Sequence, residues 1–195
     1  MEQVFFINPV AGKRDASAEP CRPRIQAAAR QLQLPQPQIV VTQYAGQARE
    51  AAHRYAASGT PAALYACGGD GTLNELVQGA AGSANVAVGC VPCGSGNDYV
   101  RNFGAAGQAS FLDFAAQLQA QPCRVDLLQT SLGIGIDICA AGLDAQVAYG
   151  IPKFRRLPGC GGTAAYTLSI LQAMLSRFGH KLRVAIDGKE YTGTI

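Results

Sequence analysis

The sequence predicts an α/β layered fold with a smaller β-rich region behind it, and three observations carry that expectation. From Val4 to Gln121, short apolar runs alternate with patterns of helical period. Two of those runs lead into glycine-dense turns, each of which opens a helix. Beyond Pro122 short strand-like runs take over, and a two-residue hairpin signal follows at Asp187-Gly188.

The elements are taken in order. Val4 to Ile7 is an apolar strand closed by Asn8-Pro9, because proline gives no N–H to a ladder and steers the preceding residue away from helix. Ile25, Ala28, Ala29 and Leu32 recur at helical spacing, which predicts a helix over Arg24 to Leu34. Ile39 to Thr42 reads as a second strand. Ala-rich Gln47 to Ser58 reads as a helix stopped by Gly59-Thr60-Pro61. Ala62 to Cys67 and Val86 to Val91 are the third and fourth strands, and their unbroken apolar character suits a parallel sheet covered on both faces. Between them, Gly68 to Thr72 is a turn feeding a helix from Leu73 to about Ala80, with Thr72 placed to cap it. Helical patterns then cover Asp98 to Phe103 and Ser110 to Gln121.

A change of character at Pro122 to Arg124 divides the chain into an α/β domain over residues 1–123 and a partial β-rich domain over residues 124–195. In the second, Val125 to Leu128, Gly135 to Ala140, Leu182 to Ile186 and Glu190 to Ile195 read as strands. One amphipathic helix, about Thr163 to Phe178, interrupts them with Ala165, Leu168, Leu171, Leu175 and Phe178 on its apolar face. The last strand has nothing after it to pair with, so the β layer reads as unfinished and the chain as a C-terminally truncated piece. The same open edge is where two copies could pair as a homodimer.

Composition narrows the class. At 195 residues, with 48% hydrophobic and 15% charged, the chain can bury a sizeable core and is not a disordered segment. A net charge of +3 is too small for a nucleic-acid surface. No run reaches the roughly 18 apolar residues of a bilayer span, and Met1 leads into a strand-like run without a basic leader, so a cytoplasmic protein is expected. Seven cysteines at irregular spacing fit a reducing compartment. Cys90 and Cys93 form the one CxxC and read as small apolar side chains at a strand end. His53 reads as a helix-packing or surface residue, and His180 as a partner of a helix C-terminal dipole. Lys153, Arg155 and Arg156 form a basic cluster, either a solvated loop or a contact for anionic head groups.

The chemistry concentrates in the turns after the strands. Gly68-Gly69-Asp70-Gly71-Thr72-Leu73-Asn74-Glu75 lies between a buried strand and a helix, where open α/β sheets bind ligands. Its glycines let the backbone approach a ligand, and the helix start offers unpaired N–H groups to a phosphate. Asp70 can hold a Mg²⁺-bound water. A second such turn, Pro92-Cys93-Gly94-Ser95-Gly96-Asn97-Asp98, follows the next strand, and a third, Asn8-Pro9-Val10-Ala11-Gly12-Lys13, follows the first. Neither GxxxxGK[ST] nor a GxGxxG after the first strand is present, so the phosphates are not held in P-loop or Rossmann fashion.

In this order and spacing, Asn8-Pro9-x-x-Gly12, Gly68 to Glu75, and Pro92-x-Gly94-Ser95-Gly96-Asn97-Asp98 resemble the diacylglycerol kinase catalytic domain of the soluble bacterial lipid kinase and sphingosine kinase group. Ala141-Gly142-x-Asp144-Ala145 is similar as well. The resemblance implies a NAD kinase/diacylglycerol kinase-like layered α/β nucleotide-binding domain followed by the start of a β-sandwich domain, with a lipid cleft between the two. It implies ATP contacts at Asn8, Pro9, Val10, Ala11, Gly12, Thr42, Gly68, Gly69, Asp70, Gly71, Thr72, Leu73, Asn74, Glu75, Gly94, Ser95 and Asn97. Asp70, Asp98 and Asp126 resemble the acidic set that organises Mg²⁺ and water around the phosphates, with Asp70 the metal contact, directly or through water. In two places the chain departs from the family. Asp137 stands where relatives usually carry Asn, and no counterpart of the family's C-terminal general-base carboxylate precedes Ile195.

The implied activity is transfer of the γ-phosphate of MgATP to a lipid hydroxyl, of diacylglycerol or a related lipid, with peripheral contact to the membrane surface. Two other readings stand beside it. NAD kinase shares the GGDGT turn, although Asn74-Glu75 and the Gly94 to Asp98 loop favour the lipid side. A nucleotide-binding module without catalysis is favoured by the lack of the base motif.

Overall fold

A computed structural model of the chain describes residues 1–12, 20–157, 160, 162–175 and 181–194. It contains two compact units, Met1–Ile138 and Cys139–Ile195.

The first unit is built on a four-stranded, all-parallel sheet. Its strands are β1 (Glu2–Ile7), β2 (Gln38–Val41), β3 (Ala62–Gly68) and β4 (Val86–Pro92), in the order β2-β1-β3-β4. Helices α1 (Cys21–Gln31), α2 (Gln47–Ser58), α3 (Asp70–Ala80), α4 (Asp98–Arg101), α5 (Gly104–Phe111) and α6 (Phe114–Gln119) connect and cover it. Every residue of β3 is buried, as an inner strand covered on both faces requires. Alternation along the strands sorts side chains into two cores. Val4, Phe6, Leu64 and Ala66 pack with Ala48, Ala52, Leu73, Leu76 and Val77 on the α2 and α3 face. Phe5, Ile7, Ala63, Tyr65 and Cys67 pack with Ile25, Ala29, Phe114 and Leu118 on the α1 and α6 face. There the rings of Phe5 and Tyr65 stack at 4.3 Å. Each fully buried ring contributes on the order of 1.5–3 kcal/mol.

Two features of this unit differ from the sequence expectation. The single helix expected over Ser110 to Gln121 is broken into α5 and α6, because Asp113 is extended and its Oδ1 accepts from the N–H groups of Ala115 at 2.9 Å and Ala116 at 3.1 Å. The strands expected over Val125 to Leu128 and Gly135 to Ala140 are instead a short antiparallel hairpin, β5 (Leu128–Thr130) and β6 (Gly133–Gly135). Thr130 Oγ1 closes its turn by donating to Gly133 O at 2.9 Å and accepting from Leu132 N at 3.2 Å. Ile134 and Ile136 anchor the hairpin on the α2 and α3 core. The hairpin thus lies within the first compact unit, Met1–Ile138.

The second unit holds α7 (Leu143–Arg155), α8 (Gly162–Leu175) and an antiparallel pair, β7 (Lys181–Ile186) and β8 (Lys189–Thr194). Asp187 and Gly188 link that pair with φ of 48° and 77°, the left-handed turn their sequence calls for. Helix α7 was hidden from pattern reading by Gly142, Gly150 and Pro152, and it carries Lys153 and Arg155 in its last turn. The buried face of α8 is Ala165, Ser169 and Ala173, whereas Leu171 and Leu175 are exposed. Small residues face inward because α7 comes close: a side chain at Gly150 would run into Ser169, whose Oγ donates to Val147 O at 2.6 Å. Lys13, Phe178, His180 and Ile195 lie outside the described residues. Among the described residues, no helix is long and apolar enough to cross a membrane.

Candidate functional site

The chain leaves β1 toward β2 on one side and toward β3 on the other, so the carboxyl ends of β1 and β3 flank a topological switch point. Asn8 follows β1 at this rim and fastens it to β3. Its backbone N–H donates to Cys67 O at 2.9 Å, its Nδ2 donates to Thr72 Oγ1 at 3.0 Å, and its Oδ1 accepts from Val10 N at 3.1 Å. Pro9, Val10 and Gly12 continue as an exposed turn with Ala11 partly covered, and Gly12 takes φ 86°. At the end of β2, Thr42 N and Oγ1 both donate to Ile7 O, at 2.9 and 3.3 Å.

The turn after β3 starts α3 three residues earlier than the sequence indicates. Gly69 is the N-cap, Asp70 the first helical residue, and no side chain caps the helix. Thr72, expected as the cap, is buried in the first turn, where Oγ1 accepts from Asn8. Its close approach leaves no room for a side chain on Gly68. The first N–H groups of α3 therefore face the rim with a favourable dipole for an anion. Leu73 sits in the core, so only its backbone is at the rim. Asn74 is partly covered, and Glu75 Oε1 accepts from Gly46 N at 2.9 Å, bracing the start of α2.

The turn after β4 packs directly on the turn after β3. Cys93 N donates to Gly68 O at 2.8 Å, and a side chain on Gly94 would meet the Cα of Gly69. Asn97 is left-handed at φ 55°, and its amide brackets Gly94, accepting from Gly94 N and donating to Gly94 O, both at 2.8 Å. Ser95 is exposed in this turn.

Gly96 marks where two carboxylates converge. A Cβ there would stand 3.0 Å from Asp70 Oδ2 and 3.3 Å from Asp98 Oδ2. Asp70 Oδ1 accepts from Tyr99 N at 3.3 Å, and Asp98 Oδ1 pairs with Arg101 Nη1 at 2.8 Å on the surface. Asp126 is exposed ahead of β5 and enters none of these contacts, and no three acidic, His or Cys side chains form a metal-holding group among the described residues. Asp137 Oδ1 accepts from Asn102 Nδ2 at 2.9 Å at the end of α4.

Behind the turns lies a group that motif reading missed. Cys93 belongs with the α1 and α6 core and Cys90 with the opposite one, so the CxxC cysteines face opposite sides of the sheet. The Sγ of Cys93 lies 3.7 Å from that of Cys21, 72 residues away. Hydrogen bonds from the Cys67 and Cys93 thiols, with the Arg24 charge adding to them, hold the Cys21 thiol well below its usual range despite burial. The same bonds and burial push Cys67 and Cys93 up. Burial first, and the Asp70 carboxylate second, push Cys90 up to about 12.

Residues 2–130 match the diacylglycerol kinase catalytic domain family. Over 133 residues the chain is 29% identical to a diacylglycerol kinase of Bacillus subtilis (strain 168), covering 68% of this chain and 43% of that protein. Over 132 residues it is 30% identical to a diacylglycerol kinase of Staphylococcus aureus (strain JH9), covering 67% and 41%. The crystal structure of a diacylglycerol kinase from Bacillus anthracis (strain Sterne) shares the fold, with a TM-score of 0.62 and 22% identity over 99% of this chain and 61% of that one. The match thus spans about two fifths of the length of these curated relatives.

Proposed function

The chain belongs to the diacylglycerol kinase catalytic domain family, and from that membership we propose that it holds MgATP at the rim of its parallel sheet as the nucleotide-binding part of a lipid kinase. The acceptor in this reading is the hydroxyl of diacylglycerol or a related lipid presented at a membrane surface. One observation carries the reading: the two glycine turns touch, Gly69 against Gly94, and two carboxylates meet beside Gly96.

The residues fit the group. Gly69 and Gly94 let the two turns pack backbone against backbone, and Gly96 brings a bare backbone beside the carboxylate oxygens of Asp70 and Asp98. The helix-start N–H groups of Asp70 and Gly71 would take phosphate oxygens, and Asn97 would keep the second turn in the shape that receives them. Asp70, with Asp98 beside it, would hold Mg²⁺ directly or through water. When bound, that ion supplies charge neutralisation on the phosphates. Asn8 and Thr42 keep the rim in register rather than reacting.

Calorimetric titration of ATP with and without Mg²⁺ tests this. Asp70→Ala is expected to weaken Mg²⁺-dependent binding at least about tenfold, roughly 1.4 kcal/mol. Equal affinity for variant and parent would remove Asp70 from the site. A transfer assay offering labelled ATP to dispersed diacylglycerol and to NAD separates the lipid reading from its nearest rival, and label on NAD alone would end it.

A further inference from the structure

Three neighbouring parts of the sheet, the connection after β1, the end of β3 and the turn after β4, bring a thiol to one place behind the rim. Cys21 opens α1, Cys67 ends the apolar run of β3, and Cys93 follows β4. None of them is in a disulfide. The Cys21 and Cys93 sulfurs, 3.7 Å apart, are within about 1.7 Å of a bonded separation, a distance that side-chain rotation can close. Cys21 also sits at the N-terminus of an 11-residue helix with Arg24 one turn on, surroundings that favour its thiolate. Cys93 is the more exposed of the two.

We propose that Cys21 and Cys93 form a reversible disulfide under hydrogen peroxide, and that this bond changes the set of the Gly94–Asn97 turn. The Cys21 thiolate attacks one peroxide oxygen, the O–O bond breaks, and hydroxide leaves to take up a proton as water, giving a sulfenic acid. The Cys93 sulfur then attacks the Cys21 sulfur, the S–O bond breaks, and a second water leaves with the Cys93 proton. Two thiols and one peroxide thereby give one disulfide and two waters, and a dithiol reductant reverses the change. The bond pulls Cys93 toward α1. Cys93 N is tied to Gly68 O and its neighbour Gly94 is packed on Gly69, so both turns feel the pull. Weaker MgATP binding in the oxidised form is the consequence, and that part rests on the function proposed above.

The test treats the full chain with hydrogen peroxide, quenches with catalase, and maps disulfides by peptide mass spectrometry without reduction. A Cys21–Cys93 linked peptide in more than half of the monomer, restored to thiols by dithiothreitol, is expected. It should persist in Cys90→Ser and vanish in Cys93→Ser. Absence of the link, or dominance of a Cys21–Cys67 link, overturns the proposal, and because the mapping is done on the parent chain it does not depend on any variant folding. Hydrogen exchange over Gly94–Tyr99 should differ between the two forms at least about threefold, and unchanged exchange overturns the coupling to the turn. Calorimetry should show MgATP binding at least about fivefold weaker after oxidation, and equal affinity overturns that consequence. If the link and the exchange change appear while neither form binds MgATP, the thiol pair stands and the nucleotide reading fails.

Discussion

Gly94 and Gly71 look equivalent in the sequence, each a glycine in a turn that opens a helix, yet their surroundings make them opposites. A side chain on Gly94 would strike the backbone of Gly69, whereas one on Gly71 meets nothing within 4 Å. Gly94→Ala is therefore expected to cost about 1–3 kcal/mol, read as a lowered urea midpoint. In the same measurement Gly71→Ala should gain up to about 1 kcal/mol, because alanine is the better helix former. Motif reading put both residues beside the strand ends but could not separate them, since the difference lies in a contact between two turns. Asp70 and Asp98 were legible as carboxylates in glycine-dense turns, although the start of α3 at Asp70 was not. The Cys21 and Cys93 pair was not, because only the parallel register brings residues so distant in sequence together.

At the level of elements, strands and long helices were readable from apolar runs and period, and the failures cluster where a polar side chain decides. Asp113 ends one helix and caps the next, a role that its Ala-rich neighbourhood conceals. Asp113→Ala should cost about 1 kcal/mol by losing the bonds to Ala115 and Ala116 N–H, measured by thermal unfolding. Gln117 on α6 is buried and its Nε2 donates to Cys90 O at 2.6 Å and Phe111 O at 3.1 Å, tying the helix to β4. Gln117→Leu keeps the volume but strands those carbonyls, so a loss of about 1–3 kcal/mol is expected. A smaller loss would mean that water reaches the two carbonyls. In α8 the period was right and Ala165 lies inside as expected, but close packing against α7 puts Ser169 and Ala173 beside it and leaves Leu171 and Leu175 exposed.

Across the whole molecule, protection should follow sheet depth. β1 and β3 are paired on both sides and buried, whereas among the described residues β7 and β8 pair only with each other and their described side chains are exposed. Hydrogen exchange is expected to be slowest in Val4 to Ile7 and Leu64 to Cys67 and to be complete first in the β7–β8 pair. Comparable rates in the two would show that the small unit is held far better than two strands can manage alone. Gly68 is at once the final rung of an inner strand and the first residue of the turn proposed to receive the nucleotide. The anchor of the proposed site consequently cannot fray without unzipping the sheet. Loss of occupancy on heating should then coincide with global melting, and a saturating ligand should raise Tm by mass action alone.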